Sequence, residues 1–110
     1  MFERGDLLLV PFPFSDLSAT KRRPVVALTG PDSYGDFIAL PVTSRPQAEY
    51  GVPINATDMV RGVLPAPSWI RIDRIVTLNA SLVVKTIGRV TNDVLAEAVQ
   101  RFCAHIDYRK

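Results

Sequence analysis

Apolar and polar residues follow one another along this chain in short blocks, and the first blocks have the character of β-strands. Leu7–Val10 is a continuous apolar run, which is typical of a strand buried on both faces. Pro24–Thr29 is a second apolar run, and a proline is tolerated at the first residue of a strand. Phe37–Val42 is a third. The pattern therefore predicts three strands in the first 42 residues.

Proline punctuates the first strand and predicts where its pairing ends. Pro11 and Pro13 have no N–H group to donate to a neighbouring strand, so we expect regular pairing to stop there. The segment Ser15–Arg23 is polar and finishes with three successive basic residues. It is typical of a long, mobile loop that connects the first two strands.

The second half of the chain predicts further strands. The middle is rich in proline and glycine, and short strands are predicted there only at Val52–Ile54 and Gly62–Leu64. Ser68–Thr77 has the clearest alternation of apolar and polar residues, with a bulge expected near Arg74 where the alternation slips. A mostly apolar segment follows, and we expect a strand over residues 84–90.

The last segment changes to the periodicity of a helix over residues 92–107. Thr91 is a suitable N-cap, and Asp93 in the first turn favours the helix dipole. Apolar residues follow at helical spacing: Leu95, Ala98, Val99, Phe102 and Ile106. Several short strands followed by one helix predict a mainly β protein, a small, strongly bent barrel with a helix packed on it, and a single domain over residues 1–110.

Composition limits the available chemistry. The chain has 110 residues with one histidine, one cysteine and a formal net charge of +2. An internal disulfide is excluded, and so are zinc fingers and the usual histidine and cysteine metal sites. Ten of the thirteen basic residues are arginine, whose rigid guanidinium fork fits phosphate with two hydrogen bonds. The apolar start is too short and too interrupted for a signal peptide or a membrane span, so we expect a cytoplasmic protein.

Arg71 and Asp73 form the most specific candidate site. At spacing i and i+2 on a strand, the two side chains project from the same face. Such a pair is either a surface ion pair of little energetic value or a phosphate-binding cation beside a general base. The spacing alone leaves both interpretations open.

Other candidate residues lie at predicted strand ends. Lys21, Arg22 and Arg23 form either a solvated basic turn or a clamp for a polyanion. Thr43-Ser44-Arg45 places two hydroxyl groups and a cation after the third strand, where they either cap a turn or contact phosphate. Trp69 is either a core residue or a stacking surface for a base. His105, on the final helix, is expected to lie away from all of these segments.

Four segments, in order along the chain, resemble the MazF/PemK family of toxins from type II toxin–antitoxin systems, and most closely its PemK-like branch. These segments are Gly5–Phe12, Lys21–Val26, Pro41–Ser44 and Ser68–Asp73 followed by Thr77. The resemblance implies an SH3-like barrel of the CcdB/PemK type with a C-terminal helix. It also implies a homodimer that cleaves single-stranded RNA, mostly mRNA, without a metal or another cofactor.

The resemblance assigns roles to individual residues. It places Arg23, Thr43, Arg71 and Asp73 at the catalytic site, with Asp73 as general base, and no metal ligand. Lys21, Arg22, Ser44, Arg45 and Trp69 are then the expected RNA-binding residues. Some members of the family carry a functional histidine in the first loop, and residues 15–21 contain none.

The resemblance also implies partners and leaves two alternatives. The expected partners are single-stranded RNA, a second copy of the chain and a cognate antitoxin, with operator DNA bound only by the toxin–antitoxin complex and no membrane partner. The first alternative is a CcdB-like inhibitor of gyrase, against which the basic run and the Arg71/Asp73 pair speak. The second is a catalytically inactive dimeric binding module of the same fold.

Overall fold

The computed structural model describes residues 1–13, 20–107 and 109. In this part of the chain there are eight strands, two short 3-10 helices at Ala56–Asp58 and Ala80–Leu82, and one α-helix, α1, at Asn92–His105. The strands are β1 (Asp6–Pro13), β2 (Thr20–Ala27), β3 (Asp36–Thr43), β4 (Gly51–Ile54), β5 (Met59–Arg61), β6 (Ser68–Arg71), β7 (Val76–Asn79) and β8 (Lys85–Val90). None of the helices in these residues is long and apolar enough to cross a bilayer.

The strands form one antiparallel sheet that curls into a nearly closed barrel. The order across it is β4-β6-β3-β2-β1-β8-β5, and β7 pairs with β3 beside β6. The prediction of a mainly β barrel with a C-terminal helix is therefore confirmed. The Thr91 cap is confirmed as well, since its hydroxyl oxygen accepts from the backbone N–H of Val94 at 3.4 Å. The helix ends two residues earlier than predicted, and Ile106 is exposed beyond it.

Proline does not end the pairing of β1 with β2, so that prediction is wrong. The ladder continues through Pro11, opposite Arg22, to Pro13, opposite Thr20. The carbonyl of Leu9 accepts from the N–H of Val84 on the β8 side, and residues 11 and 13 have the same parity as Leu9. The nitrogen atoms of Pro11 and Pro13 therefore face the edge of β1 that pairs with β8. The β1–β8 ladder stops at Leu9, so no N–H donor is required from either proline.

The predicted loop over Ser15–Arg23 is corrected in its second part. Residues 15–19 lie outside the described residues, but β2 begins at Thr20 and includes Lys21, Arg22 and Arg23. These three cations therefore stand on a strand that pairs with β1. Backbone pairing holds them in a fixed register, which a loop would not do.

The predicted strand over Ser68–Thr77 is in fact two strands. β6 pairs with the end of β3, through Val42 opposite Ile70, whereas β7 pairs with its beginning. Residues 72–75 connect them outside the ladder, so a four-residue break replaces the bulge expected near Arg74. Pro41 lies where β3 changes partner, and its parity directs its nitrogen toward this break.

The short strand predicted at Gly62–Leu64 is also misplaced. β5 covers Met59–Arg61 and pairs with β8, while residues 62–64 are irregular. Gly62 has a φ of +79°, and a Cβ there would lie 2.4 Å from the carbonyl oxygen of Ile87. Only glycine fits this position, and the left-handed backbone ends the strand.

Alternating side chains of β1, β2 and β3 build two hydrophobic cores on opposite faces of the sheet. The first core contains Leu7, Val26, Leu40 and Ile70 and is covered by α1 through Val94, Leu95 and Ala98. The second contains Phe2, Leu8, Val25, Phe37 and Ala39. The continuous apolar runs of the sequence reflect this burial on both faces.

A buried carboxylate at the start of β1 ties the first residues of the chain to the neighbouring strand β8. Asp6 is only 3% exposed, and one of its oxygens accepts from the backbone N–H of Glu3 at 2.9 Å. The other oxygen lies 3.0 Å from Nη2 of Arg89. The same guanidinium reaches the carboxylate of Glu3, whose side chain is 74% exposed.

Loss of the Asp6 carboxylate is expected to weaken the fold. Asp6→Ala should lower the free energy of unfolding by about 3 kcal/mol, because it breaks a buried ion pair and leaves Arg89 less well satisfied. Glu3→Ala, which removes only the exposed partner, should cost less than about 1 kcal/mol. Urea unfolding measures both, and equal losses would contradict the importance assigned to the buried carboxylate.

Candidate active site

Arg71 and Asp73 form a bidentate ion pair at the end of β6. Arg71 donates from Nε to Oδ1 of Asp73 at 3.0 Å and from Nη2 to Oδ2 at 2.7 Å. The two side chains are 19% and 18% exposed. The predicted pairing of these residues is therefore present, although Asp73 lies in the break after β6 and not on the strand.

The ion pair changes the protonation behaviour of both groups. The two hydrogen bonds from Arg71 hold the pKa of Asp73 below its ordinary value, against the opposing effect of partial burial. The carboxylate in turn raises the pKa of Arg71. The exposed Arg74 adds a weaker attraction, with its Nε 4.0 Å from Oδ2 of Asp73. Asp73 is therefore a weak base while Arg71 holds it.

The sheet register brings other predicted residues next to this pair. Thr43 on β3 is directly opposite Trp69 on β6, and Arg71 follows on the same face two residues later. The β2–β3 ladder ends at Val25 opposite Pro41, and continuing its register by two residues brings Arg23 level with Thr43. Arg23, Thr43, Trp69 and Arg71 thus have register positions on one face, opposite the first core.

The Thr43 hydroxyl has one hydrogen-bonding role in the fold and one still available. Its oxygen accepts from the backbone N–H of Arg45 at 3.1 Å, which fixes the turn after β3. A hydroxyl can accept and donate at the same time. The capping and phosphate-binding interpretations of Thr43 are therefore compatible.

Other predicted binding residues lie along a groove of about 440 Å³ at the same end of the barrel. Its walls include the basic run of β2, the end of β3, the start of β6 and the segment at residues 64–66. Among the lining residues are Lys21, Arg22, Arg23, Ser44 and Ser68. Arg22 has the parity of Val26, on the side of the first core, so it projects from the face opposite Arg23.

The predicted residues thus divide between two faces that meet where β2 begins and β3 ends. Thr43, Trp69 and Arg71 share one face, and Ser44 and Arg22 line the groove on the other side. Arg45 is exposed just beyond β3. Trp69 is half-buried and projects from the face of β6 opposite to that of its neighbour Ile70, which is in the core. The core interpretation of Trp69 is therefore not supported.

Tyr50 lies next to the ion pair, packs against His105 and is not among the residues that the sequence singles out. The carbonyl of Tyr50 accepts from the N–H of Ile72, between the two paired residues, at 2.9 Å. The Tyr50 and His105 rings pack edge to face with centroids 5.3 Å apart. Glu49 raises the pKa of the Tyr50 phenol by hydrogen bonding and charge, and Asp73 adds a smaller contribution. The ring contact places His105 beside Tyr50, which is not one of the predicted site residues, so the expectation that His105 lies away from those segments stays a prediction.

Arg101 is another residue that sequence reasoning missed. It projects from α1 and donates from Nη1 to the carbonyl of Gly51 at 3.0 Å and from Nη2 to the carbonyl of Glu49 at 2.9 Å. The only sequence signal is a charged residue at the border of the apolar stripe, directly before Phe102. Such a residue is usually a solvated arginine, so the signal is weak.

Over the ranges 1–13, 20–107 and 109, no cluster of three or more histidine, cysteine or carboxylate side chains is placed to hold a metal ion. The groups available for chemistry among the predicted catalytic residues are carboxylate, guanidinium and hydroxyl. Guanidinium groups with a carboxylate and a hydroxyl nearby form a site for phosphate chemistry.

The fold is thus a small β-barrel with arginines, a threonine and a carboxylate at one end of the sheet. Comparison with family models identifies the chain more closely. Residues 3–106 match the family described as PemK-like, MazF-like toxin of type II toxin-antitoxin system. The chain belongs to this family, which confirms the resemblance. No curated protein matches the sequence.

Solved structures share the fold over nearly the whole chain. MazF from Deinococcus radiodurans is 25% identical, with 96% of each chain covered and a TM-score of 0.74. Toxin MazF-mt6 of Mycobacterium tuberculosis is 21% identical over 90% of this chain and 96% of its own, with a TM-score of 0.68. A mycobacterial endoribonuclease solved with its cognate antitoxin is 14% identical, covers 98% of this chain and 97% of its own, and has a TM-score of 0.78.

Removal of the Arg71 fork should raise the pKa of Asp73. In Arg71→Met the two hydrogen bonds are lost while partial burial remains, so the carboxyl should titrate at a higher pH than in the wild-type protein. Carbon-detected NMR of the Asp73 carboxyl during a pH titration measures the shift. Arg74→Met is the matched control and should change the pKa much less. An unchanged pKa in Arg71→Met would contradict the pairing.

The same pair gives a pH dependence of stability with a defined sign. Because the folded pKa of Asp73 is lowered, its contribution is complete above the ordinary carboxyl pKa and is lost as the pH falls through the folded value. The stability difference between wild type and Asp73→Asn should therefore be largest near neutral pH and shrink toward pH 2. Urea unfolding at several pH values tests this, and a difference that grows on acidification would be contrary to it.

Proposed function

We propose that this protein is the toxin of a type II toxin–antitoxin system and an endoribonuclease that cleaves single-stranded RNA, mRNA above all, without a metal cofactor. The observation that carries the proposal is the bidentate Arg71–Asp73 pair on the same face as Thr43 and Trp69. This arrangement offers a cation for a phosphate and a carboxylate for a proton within one site. Membership of the PemK-like and MazF-like family supports it.

The chemistry begins when an RNA phosphate competes with Asp73 for Arg71. The guanidinium that shifts its hydrogen bonds to the phosphate releases the carboxylate, whose pKa then rises toward its ordinary range. Asp73 becomes a better base in the presence of the substrate. It takes the proton of the ribose 2′-hydroxyl as the 2′ oxygen attacks the adjacent phosphorus.

The remaining residues act on the charge that develops at the phosphate. Arg23 and Arg71 stabilise the additional negative charge of the pentacoordinate transition state, and the Thr43 hydroxyl donates to a phosphate oxygen. The bond from phosphorus to the 5′ oxygen breaks, and that oxygen takes a proton from a donor that one of the arginines positions. The products are a 2′,3′-cyclic phosphate and a free 5′-hydroxyl.

The RNA is bound across the end of the barrel where the two faces meet. Lys21 and Arg22 contact phosphates from the groove, with Ser44 and Arg45 beside them at the end of β3. Trp69, half-buried on the catalytic face, offers an aromatic surface for a base. This path holds a single strand along its backbone and leaves its bases accessible.

The partners follow from the same proposal. The active form is a homodimer in the cytoplasm, and its regulatory partner is a cognate antitoxin. Operator DNA is bound only by the complex of toxin and antitoxin. Solved relatives from Deinococcus radiodurans include complexes of MazE with MazF, 25% identical to this chain with 96% of it covered. The cognate antitoxin would block the RNA path when it is bound.

Substitution of the catalytic residues should abolish cleavage of RNA in EDTA. Asp73→Asn should lower kcat by about 10²- to 10⁴-fold, the usual range for a general base. Arg23→Ala should lower it by roughly 10²-fold because transition-state charge is left uncompensated. Thr43→Ala should cost about ten-fold, the value of one hydrogen bond to a charged group. Gel analysis of a labelled single-stranded RNA measures all three.

Arg74→Ala is the matched control for this experiment, because Arg74 is exposed and only 4.0 Å from Asp73. Its rate should stay close to wild type. Cleavage that disappears in EDTA would overturn the metal-free mechanism, and equal rates for wild type and Asp73→Asn would remove Asp73 from the site. If wild type leaves RNA intact, poisoning of gyrase supports the CcdB-like alternative, and RNA binding without cleavage supports the inactive binding module.

Phosphate contacts in the groove should appear in the salt dependence of RNA binding. Each lost contact with a single strand lowers the slope of log Kd against log salt concentration by about 0.7. Lys21→Ser and Arg22→Ser should each weaken binding and reduce this slope, while kcat changes little. Arg109→Ser, which removes an exposed cation beyond α1, is the control. An unchanged slope in the first two variants would exclude the groove from the RNA path.

A further inference from the structure

We infer that Arg101 is a positioning residue that sets the geometry of the Arg71–Asp73 pair from the opposite side of the β4 segment. The inference rests on the proposed function for its catalytic consequence. Its structural part concerns the chain alone. Arg101 contacts neither member of the pair directly and acts through the backbone of residues 49–51 and of Ile72.

The first step is the clamp between helix and strand. The guanidinium of Arg101 donates to the carbonyls of Glu49 and Gly51, which lie on either side of Tyr50. Two donors held in one plane match two carbonyls in a way that a single ammonium group cannot. The helix that carries them is itself fixed, because Val94, Leu95 and Ala98 are buried in the first core.

The second step leads from the clamped segment to the ion pair. The carbonyl of Tyr50, between the two clamped carbonyls, accepts from the N–H of Ile72 at 2.9 Å. Gly51 also pairs in register with Arg71. The backbone on either side of the Arg71 side chain is therefore held by the segment that Arg101 grips.

The third step is the tight packing of the backbone around Gly51. A Cβ on Gly51 would lie 2.5 Å from both Cβ and the carbonyl oxygen of Gln47 and 3.0 Å from Cβ of Trp69, so Gly51 is packed tightly between the preceding turn and β6. Residues 72–75 lie outside the ladders, and Asp73 depends on its link through Ile72 for its position. A small movement of residues 49–51 is thus transmitted to Asp73.

The discriminating variant is Arg101→Lys, which keeps the positive charge and most of the stem but loses the fork. In the folded variant, the NMR titration of the Asp73 carboxyl should move upward, because the hydrogen bonds from Arg71 become less well aligned. With single-stranded RNA, kcat should fall by about ten-fold or more while KM changes less than two-fold, as expected when geometry and not binding is lost. The acid limb of the kcat profile should move to higher pH.

Arg89→Lys is the matched control, because this variant also loses a guanidinium fork that stabilises the fold. Arg89 lies on β8 and pairs with Asp6 and Glu3. In the sheet, β1, β2 and β3 lie between β8 and β6. This variant should lower the thermal midpoint without moving the Asp73 titration or kcat.

The outcomes separate the inference from the proposed function. An Asp73 titration that moves in Arg101→Lys and not in Arg89→Lys supports the positioning role, even if the wild-type protein fails to cleave RNA. An unchanged titration in folded Arg101→Lys overturns it. Equal changes of stability, titration and kcat in the two variants also overturn it, because they would show a general structural role.

Discussion

The exchange of one pairing strand for another along β3 is the constraint on which the candidate site depends. β7 pairs with its first half and β6 with its last residues, so the chain between them must leave the sheet at residues 72–75. Pro41, which has no N–H to satisfy, occupies the strand at this point. Within the break, the Asp73 carboxylate folds back onto the arginine that ends β6 and accepts hydrogen bonds with both oxygens.

The ion pair formed there links stability, electrostatics and the proposed chemistry. Both oxygens of Asp73 are held by Arg71, so the carboxylate stays ionised and weakly basic until another anion competes for the guanidinium. A phosphate is such an anion. The site is also continuous with the helix, because the carbonyl that supports Ile72 belongs to the segment held by Arg101. The C-terminal helix therefore bears on the geometry of the site as well as covering the core.

Sequence reasoning was accurate where one local pattern has one physical meaning. The continuous apolar run at Leu7–Val10 predicted a strand buried on both faces, and Thr91 with Asp93 predicted the start of the helix. It failed where a backbone group had a choice of partners. Prolines 11 and 13 were expected to end the ladder, but their nitrogen atoms face a side that β8 has already left. The spacing of Arg71 and Asp73 suggested a strand, and a turn brings them together instead.

By itself, the sequence determined the mainly β barrel, the closing helix, the family and the pairing of Arg71 with Asp73, because these depend on residue type and short spacing. Only the tertiary structure decided which faces the basic and hydroxyl residues occupy. Arg22 and Arg23 are adjacent in the chain but point to opposite sides of β2. It also brought Tyr50 to Ile72 in the break, and Arg101 and His105 to the segment at residues 49–51. Such contacts join residues more than twenty positions apart, and no local periodicity records them.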